Sequence, residues 1–163
     1  MALIFPSIEN IERLKVTPQP GEWFLLKHLI DTLDDSFEIY FQPFLNGDRP
    51  DIILMKEKSG VVIIEVKDWL LKNYSVSKKQ GNRPIDWYLK KNGSKIKSPL
   101  RQLTKYKDNM FNLHIDGLHD ELRENMKVYG VVKLAVCFSK AKREEIDKFI
   151  NEGYDYKKDF VYL

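Results

Sequence analysis

Asp51-Ile52-Ile53-Leu54-Met55-Lys56-Glu57-Lys58-Ser59-Gly60-Val61-Val62-Ile63-Ile64-Glu65-Val66-Lys67 decides the fold. Two short apolar runs, 51–57 and 61–67, flank Lys58-Ser59-Gly60. That pattern predicts a β-hairpin with a three-residue loop and glycine where φ must be positive. Val61-Val62-Ile63-Ile64 is apolar on both faces, as in a strand inside a covered sheet.

The same stretch carries the chemistry. Residues i and i+2 of a strand share a face, so Glu65 and Lys67 project together. With the three-residue loop, Glu57 faces Val61, and Asp51 lies opposite Lys67 and diagonal to Glu65, all on one face. A two-residue loop would turn Asp51 to the other face. Two carboxylates on one sheet face, near a main-chain carbonyl, make a hard oxygen site of the kind Mg²⁺ or Mn²⁺ prefers. A lysine beside the ion can orient a water or offset negative charge on a phosphate. The competing reading is a strand-end salt bridge among Asp51, Glu65 and Lys67.

Upstream, Thr17-Pro18 predicts an N-cap followed by proline, and Phe24, Leu25, Leu29, Ile30 and Leu33 predict a helix over about 18–34. Glu22 falls in its first turn, where it either reaches the strand ends or simply complements the helix dipole. Residues 1–16 read as a loose lead-in, and Phe37 to Phe44 as a strand before the turn Asn46-Gly47-Asp48-Arg49-Pro50. Downstream, Asn92-Gly93 between apolar residues predicts a second small hairpin. Ser98-Pro99 starts a helix over about 99–114, Val128 to Phe138 is a strand, 144–151 a short helix, and Phe160 to Leu163 the start of a last strand. Gln102 lies in the first turn of the 99–114 helix, with Tyr106 one turn later on the same face. Gln102 is suited to holding a water or a phosphate oxygen, or else faces solvent. The order α, β, β, β, basic insertion (68–97), α, β, α, β is a mixed α/β sheet flanked by helices.

Composition narrows the class. The chain has 163 residues, 43% hydrophobic and 31% charged, which suits one compact domain over 17–163 with a single core. No apolar run reaches the ~18 residues of a membrane span, and 1–15 lack the layout of a secretory leader. The single Cys137 excludes an internal disulfide framework or a multi-cysteine zinc site, and a reducing cytoplasm is the expected setting. The net charge of +3 conceals a segregation: residues 68–107 hold 11 Lys and Arg against 2 Asp and Glu. Such a block reads either as a solvated face or as a surface for a polyanion, nucleic acid first.

Gly21-Glu22, Asn46-Gly47-Asp48-Arg49-Pro50-Asp51, Ile64-Glu65-Val66-Lys67-Asp68-Trp69 and Ser98-Pro99-Leu100-Arg101-Gln102 together resemble the nuclease-related domain called NERD. That family belongs to the PD-(D/E)xK phosphodiesterases, whose signature Pro50-Asp51 and Glu65-Val66-Lys67 match as written. Gln102-Leu103-Thr104-Lys105-Tyr106 resembles the Q-x-x-x-Y helix of its exonuclease branch. The resemblance spans about 17–137. It implies a restriction-endonuclease-like α-β-β-β-α-β core and divalent-metal-dependent DNA cleavage, with Glu22, Asp51, Glu65, Lys67 and Gln102 carried over. It also implies a place in DNA processing or repair, next to a helicase-type module, which fits a chain that stops on a barely begun strand.

The expected function is therefore Mg²⁺- or Mn²⁺-dependent phosphodiester hydrolysis on DNA. Asp51, Glu65 and the Val66 carbonyl would hold the ion. The insertion's Lys90, Lys91, Lys95 and Lys97 would meet the DNA backbone with Arg101, Lys105 and Tyr106 of the helix. A DNA-docking module without cleavage is the alternative, and a domain whose basic face meets an acidic protein is a third.

Overall fold

A computed structural model describes residues 1–77, 86–115, 117–153 and 160–162. The elements are β1 (Leu3–Phe5), α1 (Ile8–Glu12), α2 (Pro20–Thr32), β2 (Phe37–Phe41), β3 (Ile52–Lys56), β4 (Gly60–Lys67), β5 (Tyr74–Val76), β6 (Trp87–Leu89), β7 (Lys95–Ile96), α3 (Pro99–Asn109), α4 (Leu118–Glu124), β8 (Val132–Phe138), α5 (Arg143–Gly153) and β9 (Phe160–Tyr162). Six strands form one mixed sheet in the order β1-β2-β3-β4-β8-β9. The β2-β3-β4 meander is antiparallel, while β1 joins β2, and β8 joins β4 and β9, in parallel. Among the described residues no helix is long and apolar enough to cross a membrane.

The centre of the sheet is β4, and both its faces are covered. Val61 and Ile63 pack with Leu100, Leu103 and Phe111 of the helical segment that begins with α3. Ile64 and Val66 pack on the other face with Leu25 and Leu26 of α2 and Ile11 of α1. This is why the strand reads apolar at successive positions.

The hairpin forms with a register two residues from the one expected. Ile52 pairs with Ile64 and Lys56 with Gly60, so the loop is Glu57-Lys58-Ser59. Lys58 and Gly60 take the positive φ, 59° and 134°. A Cβ at Gly60 would stand 2.5 Å from the Val131 carbonyl oxygen, so glycine is needed there for close approach as well as for φ. A shift of two preserves side-chain parity. Continuing the ladder puts Asp51 level with Glu65 instead of Lys67, still on the same face.

Other expectations need correction. Residues 1–16 are no loose lead-in: β1 extends the sheet, and Ala2 and Ile11 are buried. Helix α2 starts at Pro20, not after Thr17, because Glu22 reaches back to the Gln19 amide at 2.8 Å and closes the first turn there. The strand expected from Val128 begins at Val132, after a 3₁₀ turn over Met126–Val131. The expected 99–114 helix is α3, capped by the Ser98 hydroxyl, continued by a π-helical turn over Met110–His114.

The basic insertion builds its own antiparallel sheet, β5-β6-β7, with Gly93 at φ 65° in the β6–β7 turn. Aromatic packing fixes it to the core. Trp69 stacks on Tyr74 at 4.4 Å between centroids, and Trp87, buried, lies 6.1 Å from Phe138 of β8 and 5.0 Å from Phe149 of α5. Lys78, Lys79 and Arg83, part of the basic block, lie outside the described residues.

Candidate active site

The site lies where β3 begins and β4 ends. Asp51 precedes β3, and its Oδ2 accepts the Val66 amide of β4 at 2.7 Å. That bond ties the turn before β3 to the end of β4. Glu65 is almost fully buried. Its Oε1 accepts from Lys67 Nζ and, at 2.7 Å, from Gln102 Nε2. Its Oε2 is buried and has no hydrogen-bond partner among the described residues. Gln102 Nε2 also meets the Tyr106 hydroxyl at 2.9 Å, and that hydroxyl donates to the Arg49 carbonyl at 3.3 Å. One turn of α3 thus spans from Glu65 to the residues just before Asp51.

The electrostatics are those of crowded acids. Burial first, then the Glu65 charge, push the Asp51 carboxyl up to about 7, against the opposing Val66 bond. Burial also raises Glu65, and the nearby charges of Lys67 and Lys97 oppose the rise. Glu22, at the start of α2, adds negative charge to both. It is itself buried, held by the Gln19 amide and by Gln42 Nε2, 3.2 Å from each carboxylate oxygen.

The structure thus brings Glu22, Asp51, Glu65, Lys67 and Gln102 together at one end of the sheet. The seven residues expected to meet nucleic acid divide. Lys90, Lys91 and Lys97 are exposed, and Lys97 is close enough for its charge to act on Glu65. Lys95 and Arg101 both pair with Asp86, at 2.8 and 3.2 Å. Lys105 pairs with buried Asp48 at 3.0 Å. Tyr106 is buried with its hydroxyl engaged on both sides, so it supports Gln102 from below and presents no surface.

Sequence reasoning missed three supports. Gln42, at φ 45°, donates its amide N–H to the Asp51 carbonyl and its side chain to Glu22. Asp68 accepts the Gly21 amide at 3.2 Å and the Ser139 hydroxyl, binding the start of α2 to the ends of β4 and β8. A Cβ at Gly21 would fall 1.9 Å from Asp68 Oδ1, so only glycine fits that contact. Asp48 accepts from Lys105, from Asn109 at 2.6 Å and from His114 at 3.2 Å. Burial alone would raise its carboxyl, but those three partners hold it below the usual range. The signal for Gly21, Asp48 and Asp68 was their place inside the quoted motifs. Gln42 had none.

Cys137 is buried, and burial pushes its thiol up to about 11, which excludes it as a neutral-pH nucleophile. Among the described residues no three His, Cys, Asp or Glu side chains form a ready-made metal cluster. The hard donors at this site are the Asp51 and Glu65 carboxylates with adjacent main chain. They fit a divalent cation that draws the rest of its shell from water and substrate. Glu65 Oε2, buried and without a hydrogen-bond partner among the described residues, is a free donor of this kind.

No curated protein and no solved structure matches this chain. Residues 17–139 do match one family, described as nuclease-related domain. That match covers well over half of the 163 residues, includes every acid, lysine and glutamine of the site, and places the chain in the nuclease-related domain family.

Proposed function

We propose that this domain hydrolyses phosphodiester bonds of DNA with the help of Mg²⁺ or Mn²⁺. The observation that carries the reading is the Glu65 Oε2, buried and without a partner among the described residues, on the face it shares with Asp51. An acid pair of this cost persists where something cationic is bound. Asp51 and Glu65 would hold the ion, with the Val66 carbonyl beside them. When bound, the ion would act as a Lewis acid on the phosphate and acidify a water.

The chain's own groups do the rest. Lys67 keeps a positive charge against Glu65, where the phosphate's developing negative charge would otherwise meet only acids. It also orients the water that attacks phosphorus as the opposite P–O bond breaks, leaving one phosphate end and one hydroxyl end. Gln102 gives one amide N–H to Glu65 and the other to the Tyr106 hydroxyl, and so holds the Glu65 carboxylate in place beside the water and the phosphate. Glu22, held by Gln19 and Gln42, stands ready to hold a further water.

The test is incubation of the purified protein with end-labelled single- and double-stranded DNA, with and without Mn²⁺, beside Lys67→Ala. Metal-dependent products from the wild type are expected, with a rate about 10²-fold or more lower in the variant. An undiminished rate in Lys67→Ala, or in chelator, would assign cleavage to something else.

A further inference from the structure

Beside the site is a cavity that none of the above uses. It has a volume of about 280 Å³, at the low end of ligand pockets. Its lining includes Phe5, Tyr40, Gln42, Pro43, Phe44 and Arg49. We propose that it takes an unpaired nucleobase, so that the strand enters the site single-stranded. This rests on the nuclease reading and names its substrate class.

Three observations converge. The first is the aromatic character of the walls. Phe5 and Tyr40 stack at 5.1 Å and 19°, and the Tyr40 hydroxyl is engaged by Glu38 at 2.7 Å, so a flat apolar surface is left. Phe44 is 78% exposed, so most of its ring is left in contact with water. Every base offers a π-face to such a ring, and stacking of this kind binds without reading sequence. The second is charge. Arg49 lines the cavity and is exposed. A guanidinium has five N–H donors, so the bond Arg49 gives to Gln42 Oε1 at 2.8 Å leaves capacity for a phosphate. An aromatic ring with an arginine beside it matches a nucleotide: base on the ring, phosphate on the cation. The third is continuity with the acids. Gln42 accepts from Arg49, donates to Glu22, and gives its amide N–H to the Asp51 carbonyl at 2.8 Å. A strand with a base against Phe44 therefore has its backbone led past Arg49 towards Asp51. In a duplex the base would first have to leave its stack and its partner.

The test uses metal-free buffer, so that no strand is cut. Fluorescence anisotropy measures binding of a labelled oligo-dT, an oligonucleotide of abasic residues with the same number of phosphates, and a duplex. Phe44→Ala should weaken oligo-dT binding about ten-fold and Phe44→Trp should restore it. Abasic and duplex binding should be unchanged by either variant. Phe44 is too exposed for its removal to disturb the core, and thermal melting checks this. Equal oligo-dT affinity for wild type and Phe44→Ala overturns the base pocket, as does an equal loss on the abasic strand. If Phe44→Ala is silent while the wild type cleaves DNA with Mn²⁺, the pocket falls and the nuclease reading stands. If the wild type neither binds nor cleaves DNA, both fall together.

Discussion

The end of β4 and the tip of the β6–β7 hairpin are both charged, but their charges are held in opposite ways. At the end of β4, Asp51 and Glu65 are crowded, desolvated and fixed by named partners, and both carboxyls are raised. At the hairpin tip, Lys90 and Lys91 stand in solvent, and what is fixed is the apolar base below them, Trp87 against Phe138 and Phe149. The first region spends stability to hold an arrangement. The second costs little and holds only a position. Chemistry needs the first kind of charge and contact with a polyanion needs only the second.

The comparison breaks most visibly at Lys67. Its ammonium is bonded to the buried Glu65 of the acid pair. Lys67→Ala should lower the cleavage rate by about 10²–10⁴-fold, the range for a positioned group that stabilises charge or moves a proton. DNA affinity in metal-free buffer should be little changed. A variant that loses binding and keeps its rate on bound DNA would place Lys67 with the surface lysines instead.

Next in size is the anchor of the insertion. Trp87→Ala should destabilise the protein by about 3–5 kcal/mol, as buried aromatic truncations do. Denaturant unfolding reads this directly. Trp87 is 2% exposed and packs on β8 and α5, so the loss should be global. A change well below 1 kcal/mol would mean that the insertion folds apart from the core.

How far the sequence foretold these two regions follows from how local each determinant is. Parity along one strand needs no tertiary knowledge, so Glu65 and Lys67 were legible as a pair, and Asp51 joined them even though the expected register was off by two. The error lay in the loop: Lys58 accepts positive φ, which let Gly60 join β4. Edge strand β1 was not legible, because three residues carry no period and its pairing with β2 is long-range. Proline and cap residues misled at 17–18, where Gln19-Pro20 with Glu22 offered an equivalent start. Gln42, Asp48 and Asp68 act across the fold, from separations of 20 to 71 residues, and no local pattern reports that. On the basic block, charge counting found the lysines and missed that Asp86 and Asp48 claim three of the cations.

The site's cost should be measurable as a pH effect on stability. Asp51 titrates near 3.8 when unfolded and near 7 in the folded, metal-free protein. Between those values the native state holds more protons than the unfolded chain, so unfolding becomes easier as pH rises. Stability is thus fullest below about 4 and falls through about 7, with Glu65 acting in the same direction. Asp51→Asn should flatten that fall in melting temperature. Mg²⁺ competes with the same protons, so its stabilisation of the wild type should grow across the window. A melting temperature that rises from pH 4 to 7 in the metal-free protein would contradict the crowded-acid description.

The smallest effect belongs to the exposed lysines, and it separates the two regions most cleanly. Lys90, Lys91 and Lys97 are exposed, whereas Lys95 shares Asp86 with Arg101. Each lysine that meets a phosphate releases about one counterion, so its removal should lower the salt slope of DNA binding by about one. Neutralising Lys90 and Lys91 should therefore weaken binding at low salt and flatten its salt dependence by at most about two. Metal affinity should not move, because both residues stand at the hairpin tip. Lys97→Ala should do both: flatten the slope by about one, and raise the proton affinity of Glu65 by removing a charge that now opposes it. Lys95→Ala should change the slope less than Lys90→Ala, since its charge is already matched by Asp86. If all four lysines give the same slope change, the Asp86 pairing does not persist when DNA binds, and the hairpin is a uniform cationic face. If none does, the surface that meets the strand is on the Arg49 side of the site.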